Sequence, residues 1–371
     1  MDSINGFRMP ASVAGSFIEV PVWDSNADDT LVCRAVRVET PDVKTFVLSA
    51  REPRRFAYKP GQFLTFEFVI GGQPIHRCYT ISASPTRPDT VSITVKRVPG
   101  GPVSNWLHDN FKPGSTIKAV GPMGEFTHID YPSGKYLFLS GGSGVTPMMS
   151  MARAMHDLAG ATHVVFVHSA RSPEDIIFRT ELELMARHNA NFRFAAICEN
   201  DSSGEAWGGF KGRLSPAMLE LIAPDFRDRE VFVCGPSPYM QAVREMLKAA
   251  GFDMARHHEE SFNFEELPSS EQAAIAEAEE ASSAKVYRVE FAKTRRVIEC
   301  PVGTSVLDAA RRAGLRLPSS CTKGVCGTCK SKLISGTVEM QHGGGIRPRE
   351  IEAGMRLLCC SKPTSDLVID R

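Results

Sequence analysis

The sequence predicts a multidomain chain: an antiparallel β-barrel, an α/β parallel-sheet domain, and a small α+β unit behind a tether. Three observations carry that expectation. Short runs of β-branched and aromatic residues crowd 31–130, strands and helices alternate through 131–264, and a polar segment at 265–284 precedes a cysteine-bearing end. At 371 residues the chain can bury two or three cores.

The barrel rests on six stretches: "LVCRAVRVET", "KTFVLSA", "FLTFEFVI", "RCYTISAS", "VSITVKRV" and "STIKAVGP". Pro60–Gly61, Gly71–Gly72 and Pro113–Gly114 punctuate them, the texture of a small antiparallel barrel. Residues 1–30 form an N-terminal extension. From Tyr136 the pattern changes. "YLFLS" reads as a strand, "GGSGVTP" as a glycine-rich turn, and "MMSMARAMHDLAG" as a helix; "HVVFVHSA" and "EDIIFRTELELMARH" repeat strand and helix. "FRFAAICEN" and "EVFVCGP" add strands whose continuous apolar runs suit a parallel sheet covered on both faces.

Residues 265–284, "EELPSSEQAAIAEAEEASSA", are too polar to bury and read as a linker. In 285–371, "KVYRVEFAKTRRVIECPVG" reads as a hairpin, "SVLDAARRAG" as a short helix, and "CKSKLISGTVEM" and "SDLVIDR" as closing strands.

Forty-three basic residues balance forty-three acidic ones, so the charge favours neither nucleic acid nor a membrane surface as partner. The apolar runs are too short to span a bilayer. The N-terminus "MDSINGFRMPASVAGSF" lacks the apolar stretch of a signal peptide. With ten cysteines, that points to a reducing, cytoplasmic setting in which clustered thiols hold metal.

One cluster stands out. In "CTKGVCGTC", Cys321, Cys326 and Cys329 have the C-x4-C-x2-C spacing of a plant-type [2Fe–2S] ferredoxin, and the intervening glycines let backbone N–H groups approach the sulfides. A zinc site would favour paired C-x2-C knuckles, whereas the second half here offers the adjacent Cys359 and Cys360 in "RLLCCSKP". Resemblance to β-grasp ferredoxin domains, which place the ligand after L-x and four residues before a small residue or proline, here Pro363, selects Cys359 as the fourth.

The segment "HRCYTISASP" resembles the R-x-Y-[ST] strand of the ferredoxin reductase superfamily. That resemblance implies that Arg77 pairs a flavin phosphate through its planar fork. It places Tyr79 beside the ring system, Thr80 near the reactive N5, and Ser84 in the following turn. "VKRVPGGPVSNWLHDN" resembles the second flavin element and contributes Val95, Lys96, Gly101, Val103 and Ser104. A helix start that handles a diphosphate implies FAD rather than FMN. "GPMGEF" matches the segment that closes the flavin domain.

"LSGGSGVTPMMSM" is a strand, a glycine turn and a helix start. Gly141, Gly142 and Gly144 offer bare amides and a helix dipole to a nicotinamide dinucleotide's pyrophosphate, and the segment resembles the variant turn of the same reductase superfamily, with Thr146 and Pro147 at the helix entrance. "VFVCGPSPYM" resembles the superfamily's C-G-P motif, which implies Cys234 near the nicotinamide, followed by Gly235 and Pro236. "HHEESFNF" resembles the E-x-[FY] ending, which implies catalytic roles for Glu260 and Phe262, the aromatic lying against the flavin. Arg171 could serve a 2′-phosphate, whereas Glu174 or Asp175 could exclude one; NADH is expected, with NADPH the alternative. His163 and His168 should face opposite sides of their strand, and His257 and His258 are expected at the surface.

The order of flavin, nicotinamide and ferredoxin domains resembles the reductases of Rieske oxygenases that demethylate glycine betaine, carnitine or proline betaine. It is also similar to phthalate dioxygenase reductase and to reductases of hybrid-cluster proteins and phenylacetyl-CoA epoxygenases. The resemblance implies an NAD(P)H-dependent reductase that passes electrons from NADH through FAD to [2Fe–2S] and on to a separate oxygenase component. A flavin is the link that accepts a hydride and releases single electrons. The alternatives are a hybrid-cluster or diiron acceptor, or a non-catalytic docking protein.

Overall fold

The computed structural model describes residues 20–262, 286–315, 317, 324, 327, 329–343 and 345–371. The predicted tether at 265–284 lies outside the described residues, as do Cys321 and Cys326.

Six strands build the first unit: β1 (Thr30–Thr40), β2 (Val43–Ala50), β3 (Phe63–Ile70), β4 (Gln73–Thr80), β5 (Val91–Lys96) and β6 (Thr116–Met123). Helix α1 (Pro102–Asn110) sits between the last two. They form one antiparallel sheet in the order β4-β3-β6-β1-β2-β5, and a bridge from Ile81 to Ile93 joins its ends into a barrel. Leu31, Phe46, Leu48, Leu64, Phe66 and Ile93 fill the interior with no exposure. Trp106 of α1 meets Phe68 edge-on at 5.9 Å, fixing the helix against the barrel.

The second unit runs β7 (Lys135–Gly141), α2 (Val145–Asp157), β8 (His163–Ala170), α3 (Arg179–His188), β9 (Phe192–Cys198), β10 (Phe210–Lys211), α4 (Pro216–Ile222), β11 (Glu230–Cys234), α5 (Ser237–Ala249) and β12 (His257–Glu260). All six strands are parallel, in the order β10-β9-β8-β7-β11-β12. Strand order reverses beside β7, so a crevice opens between the carboxyl ends of β7 and β11. Side chains alternate between two cores, Phe138, Phe166 and Phe232 on one face and Leu139, Val167 and Val233 on the other.

Two expectations need correction here. The helix expected from residue 174 begins at Arg179, because Phe178 adopts left-handed φ +60 and the preceding Pro173–Asp175 forms only a 3-10 turn. The histidine pair expected at the surface lies in edge strand β12, with side chains 6 % and 10 % exposed. His258 stacks 3.7 Å from the Tyr131 ring and bonds Glu230 at 2.8 Å. Adjacent polar residues read as surface from sequence, but the Tyr131 ring covers His258, and the His257 side chain is buried on the opposite face of the strand.

The third unit has β13 (Val286–Phe291), β14 (Arg296–Pro301), α6 (Val306–Arg312), β15 (Lys330–Ser335), β16 (Val338–Met340), α7 (Pro348–Glu352), β17 (Met355–Leu357), β18 (Ser361–Pro363) and β19 (Leu367–Ile369). Its main sheet runs β14-β13-β19-β15-β17, with β13 and β19 the parallel pair. Ser305 caps α6 by accepting the Asp308 N–H, and Val306, Leu307 and Ala310 pack on Val289, Phe291 and Leu357. This unit touches the barrel through ion pairs: Asp29 meets Arg347 at 3.1 Å and Arg349 at 3.4 Å.

Phe232 is the hub of the second core: it packs edge-on against Phe126 at 5.3 Å and Phe138 at 5.9 Å, and His258 lies 4.8 Å away. Phe232→Ala should cost about 3–5 kcal/mol in urea denaturation, since the cavity cannot close around so many rings. A loss below about 1 kcal/mol would contradict this packing.

Candidate functional site

The glycine turn sits at the crevice. Gly142 takes φ +52, and the following helix starts at Val145 with no side chain capping it. Thr146 donates to the Ser143 carbonyl at 3.1 Å, bracing the first turn, and Pro147 is buried. A Cβ on Gly144 would lie 2.2 Å from the Cys234 carbonyl oxygen; one on Gly235 would lie 2.8 Å from the Tyr239 ring. Gly141 packs against Pro236 and Tyr239, with room for no larger residue without a shift. The bare backbone is therefore required for the crevice walls to meet.

A row of four side chains crosses the sheet just inside this turn. Ser140 is register-paired with His168 on one side and Cys234 on the other, and Cys234 is paired with Glu260. By strand alternation all four lie on the face that carries Phe138, Phe166 and Phe232. Ser140 bonds His168 Nδ1 at 2.8 Å, while His168 Nε2 is buried with no hydrogen-bond partner. Burial, and then Lys96, push His168 down to about 4, so the ring is neutral. Burial drives the Cys234 thiol far up, and Glu260 adds to that, so Cys234 is a thiol and not a thiolate. Glu260 Oε2 is likewise buried without a partner, and burial raises its carboxyl to about 8. Phe262 is half-buried against the same core as Cys234 and Phe232.

The barrel brings its own candidates to one sheet edge. Arg77, Tyr79 and Thr80 lie on β4, register-paired with Phe66, Leu64 and Phe63. Tyr79 packs edge-on to Phe68 at 6.5 Å, and burial raises its phenol. Thr80 is 6 % exposed, and Ser84 bonds Thr86 at 2.6 Å. Gly101 is the N-cap of α1, with Pro102 next and no capping side chain, so the helix start keeps amides free for an anion. Val103 is buried. Ser104 is spent on the turn: its hydroxyl accepts the Val98 N–H at 3.1 Å and donates to the Gly101 carbonyl. The Val95 carbonyl is bonded to His108 at 2.9 Å.

Lys96 and Arg171 come from different units yet share one carboxylate, Asp42, at 3.4 and 2.9 Å. Arg171 also pairs with Asp175 at 2.5 Å. Burial works against the ionised Asp42, but Lys96, Thr40 and Arg171 together hold its carboxyl below the ordinary value. No sequence signal connects positions so far apart; this cluster and the Ser140–His168 pair were missed for that reason.

In the third unit Cys329 and Cys359 are brought together, both buried, with the Cys359 N–H directed at Cys329 Sγ at 3.5 Å. The Cys360 thiol reaches the Leu357 carbonyl and is also hydrogen-bonded to Cys359. A Cβ on Gly324 would lie 2.8 Å from Cys360 Sγ, and one on Gly327 equally close to the Gly345 carbonyl. The loop glycines are therefore demanded by packing as well as by amide access. Cys321 and Cys326 lie outside the described residues.

These arrangements fit the expected cofactors: a bare-backbone cradle, partnerless buried polar atoms in the adjoining strand ends, and paired thiols. Family models agree. Residues 32–128 match an oxidoreductase FAD-binding domain, 138–245 an oxidoreductase NAD-binding domain, and 289–364 a 2Fe-2S iron-sulfur cluster binding domain. The glycine betaine monooxygenase reductase subunit of Pseudomonas aeruginosa is 50% identical over 95% of this chain and 98% of its own. The stachydrine N-demethylase reductase subunit of Rhizobium meliloti is 40% identical over 94% and 97%. Among solved structures, phthalate dioxygenase reductase shares the fold, with TM-score 0.57 at 24% identity over 94% of this chain and all of that one. Among the described residues no helix is long and apolar enough to cross a membrane. This chain is an oxidoreductase that belongs to the family of oxygenase reductase subunits carrying FAD, NAD and [2Fe–2S] domains in one polypeptide.

Proposed function

We propose that this reductase feeds a separate Rieske-type oxygenase that N-demethylates a betaine-like compound, in the cytoplasm, and takes its electrons from NADH. The observation that carries the acceptor is similarity along nearly the whole chain to reductase subunits whose named systems act on glycine betaine and stachydrine, two quaternary ammonium carboxylates. The preference for NADH is supported by Arg171: both Asp42 and Asp175 already hold the guanidinium that a 2′-phosphate would need. We place the divisions at 1–30, 31–130 for the flavin domain, 131–264 for the nicotinamide domain, 265–284 for the linker and 285–371 for the ferredoxin domain.

The residues divide the work as follows. Gly141, Gly142 and Gly144 present amides to the dinucleotide's phosphates at the start of α2, and Thr146 fixes that turn. Arg77 and the α1 N-terminus hold the flavin's phosphates. Tyr79 and Phe262 cover its ring and exclude water, with Thr80 bonding near its reactive edge. Cys234 and Glu260 flank the nicotinamide as neutral groups. Glu260 keeps its proton at neutral pH and so can donate a hydrogen bond where a carboxylate would repel. Bound flavin supplies the conversion of one hydride into two single electrons. Cys321, Cys326, Cys329 and Cys359 would ligate the [2Fe–2S] cluster, which would accept single electrons.

The acceptor is tested by feeding the purified protein NADH together with candidate oxygenase components. A Rieske centre of a betaine-demethylating oxygenase should become reduced; reduction of only a hybrid-cluster or diiron centre would overturn the proposal. Cys359→Ser should abolish the cluster's visible absorption while Cys360→Ser retains it. Either cysteine variant should keep NADH-to-ferricyanide activity through the flavin alone. The Glu260 carboxyl binds a proton in the folded chain from its ordinary 4.5 up to about 8, so it makes folding less favourable as pH rises through that window. His128 and His168, both depressed to about 4, act in the opposite direction up to about 6.5. Wild type should therefore lose stability relative to Glu260→Gln between those limits in paired urea titrations, and a constant difference would refute the raised carboxyl.

A further inference from the structure

Helix α2 presents Ser150, Arg153 and Asp157 along one face, and each reaches across to the segment 82–87 of the flavin domain. Ser150 donates to the Ala83 carbonyl at 2.7 Å. Arg153 Nη1 donates to the Ser82 carbonyl at 2.5 Å. Asp157 accepts from the Thr86 hydroxyl, and from Arg87 at 3.0 and 2.6 Å. Positions spaced by three and then four residues fall on one stripe of a helix, so the three contacts act as a zipper between the two units.

Both sides of this zipper lead directly to a cofactor site. Helix α2 begins at the glycine turn, and segment 82–87 continues from Thr80 at the end of β4. On the barrel side Ser82 is itself fixed, its hydroxyl bonded to Thr94 at 2.9 Å and its N–H to the Ser92 carbonyl at 2.8 Å. Arg153 is the buried centre, 8 % exposed. Its other nitrogens clasp Glu181 at 2.8 and 2.5 Å, and its guanidinium lies 4.7 Å over the Phe178 ring. Phe178 carries the left-handed φ +60 that interrupts the helix expected there, a conformation rare for a bulky residue. The strained residue, the carboxylate and the flavin-domain carbonyl all converge on one side chain.

We infer that Arg153 is a positioning residue for hydride transfer: it pins the nicotinamide domain's first helix to the strand end that carries Thr80. In doing so it sets how the two cofactor sites face each other. The inference rests on reading the glycine turn and Thr80 as cofactor sites, which the wild-type protein tests separately. If wild type with bound flavin gives no long-wavelength charge-transfer absorbance on mixing with NADH, that reading fails, whatever Arg153 does.

The test is Arg153→Met, which keeps an apolar stem and leaves Glu181, 36% exposed, able to hydrate. Deuterium exchange of the 82–87 amides should quicken. The charge-transfer absorbance should weaken, and single-turnover flavin reduction should fall about tenfold or more while the Kd for NADH stays within about twofold, because small misplacements cost rate before affinity. Arg153→Lys should restore part of the band, since an ammonium can reach the Ser82 carbonyl but cannot clasp Glu181 bidentately. A flavin-loaded Arg153→Met with wild-type band and rate overturns the inference. Should that variant not retain flavin, Ser150→Ala decides: a weakened band supports the zipper and an unchanged one overturns it.

Discussion

The contact on which the whole site depends is backbone against backbone. The Gly144 Cα sits so close to the Cys234 carbonyl that a single methyl group could not be inserted. That contact brings the carboxyl ends of β7 and β11 together at the point where strand order reverses. Gly235 and Gly141 continue the seam, each closed by the Tyr239 ring. With the seam closed, the glycine turn and the Cys234–Glu260 pair lie side by side. The fold class explains why a crevice exists there; the glycines explain why it is narrow.

The chemistry of that surface is set by burial more than by charge pairing. His168, Cys234 and Glu260 are all pushed toward their neutral forms, chiefly by desolvation. The lining beside the glycine turn is therefore neutral at these three positions. The charged groups stand further out, where Asp42 gathers Lys96 and Arg171.

Much of this was legible from sequence. The six barrel strands, the glycine turn, the C-G-P strand end and the cysteine spacing are local signals, each written in a dozen residues or fewer. What escaped was non-local or depended on one unusual backbone angle. Nothing around Phe178 announces a left-handed residue, so the helix there was started too early. His258 looks like a solvent-facing polar residue until Tyr131 is known to lie over it. Ser150, Arg153 and Asp157 read as the polar stripe of an ordinary amphipathic helix, and only the barrel's arrival against them gives the stripe a partner. Sequence pattern reports what a residue does within its own element; it is silent on which other element comes to meet it.

The two arginines that Asp29 holds are unequal. Arg349 is more than half exposed, whereas Arg347 is 6 % exposed. Dissolved ions compete freely for the outer partner and poorly for the inner one. Raising ionic strength would therefore weaken the outer pair first and leave the inner one largely in place, so the two contacts between these units respond to salt in sequence rather than together.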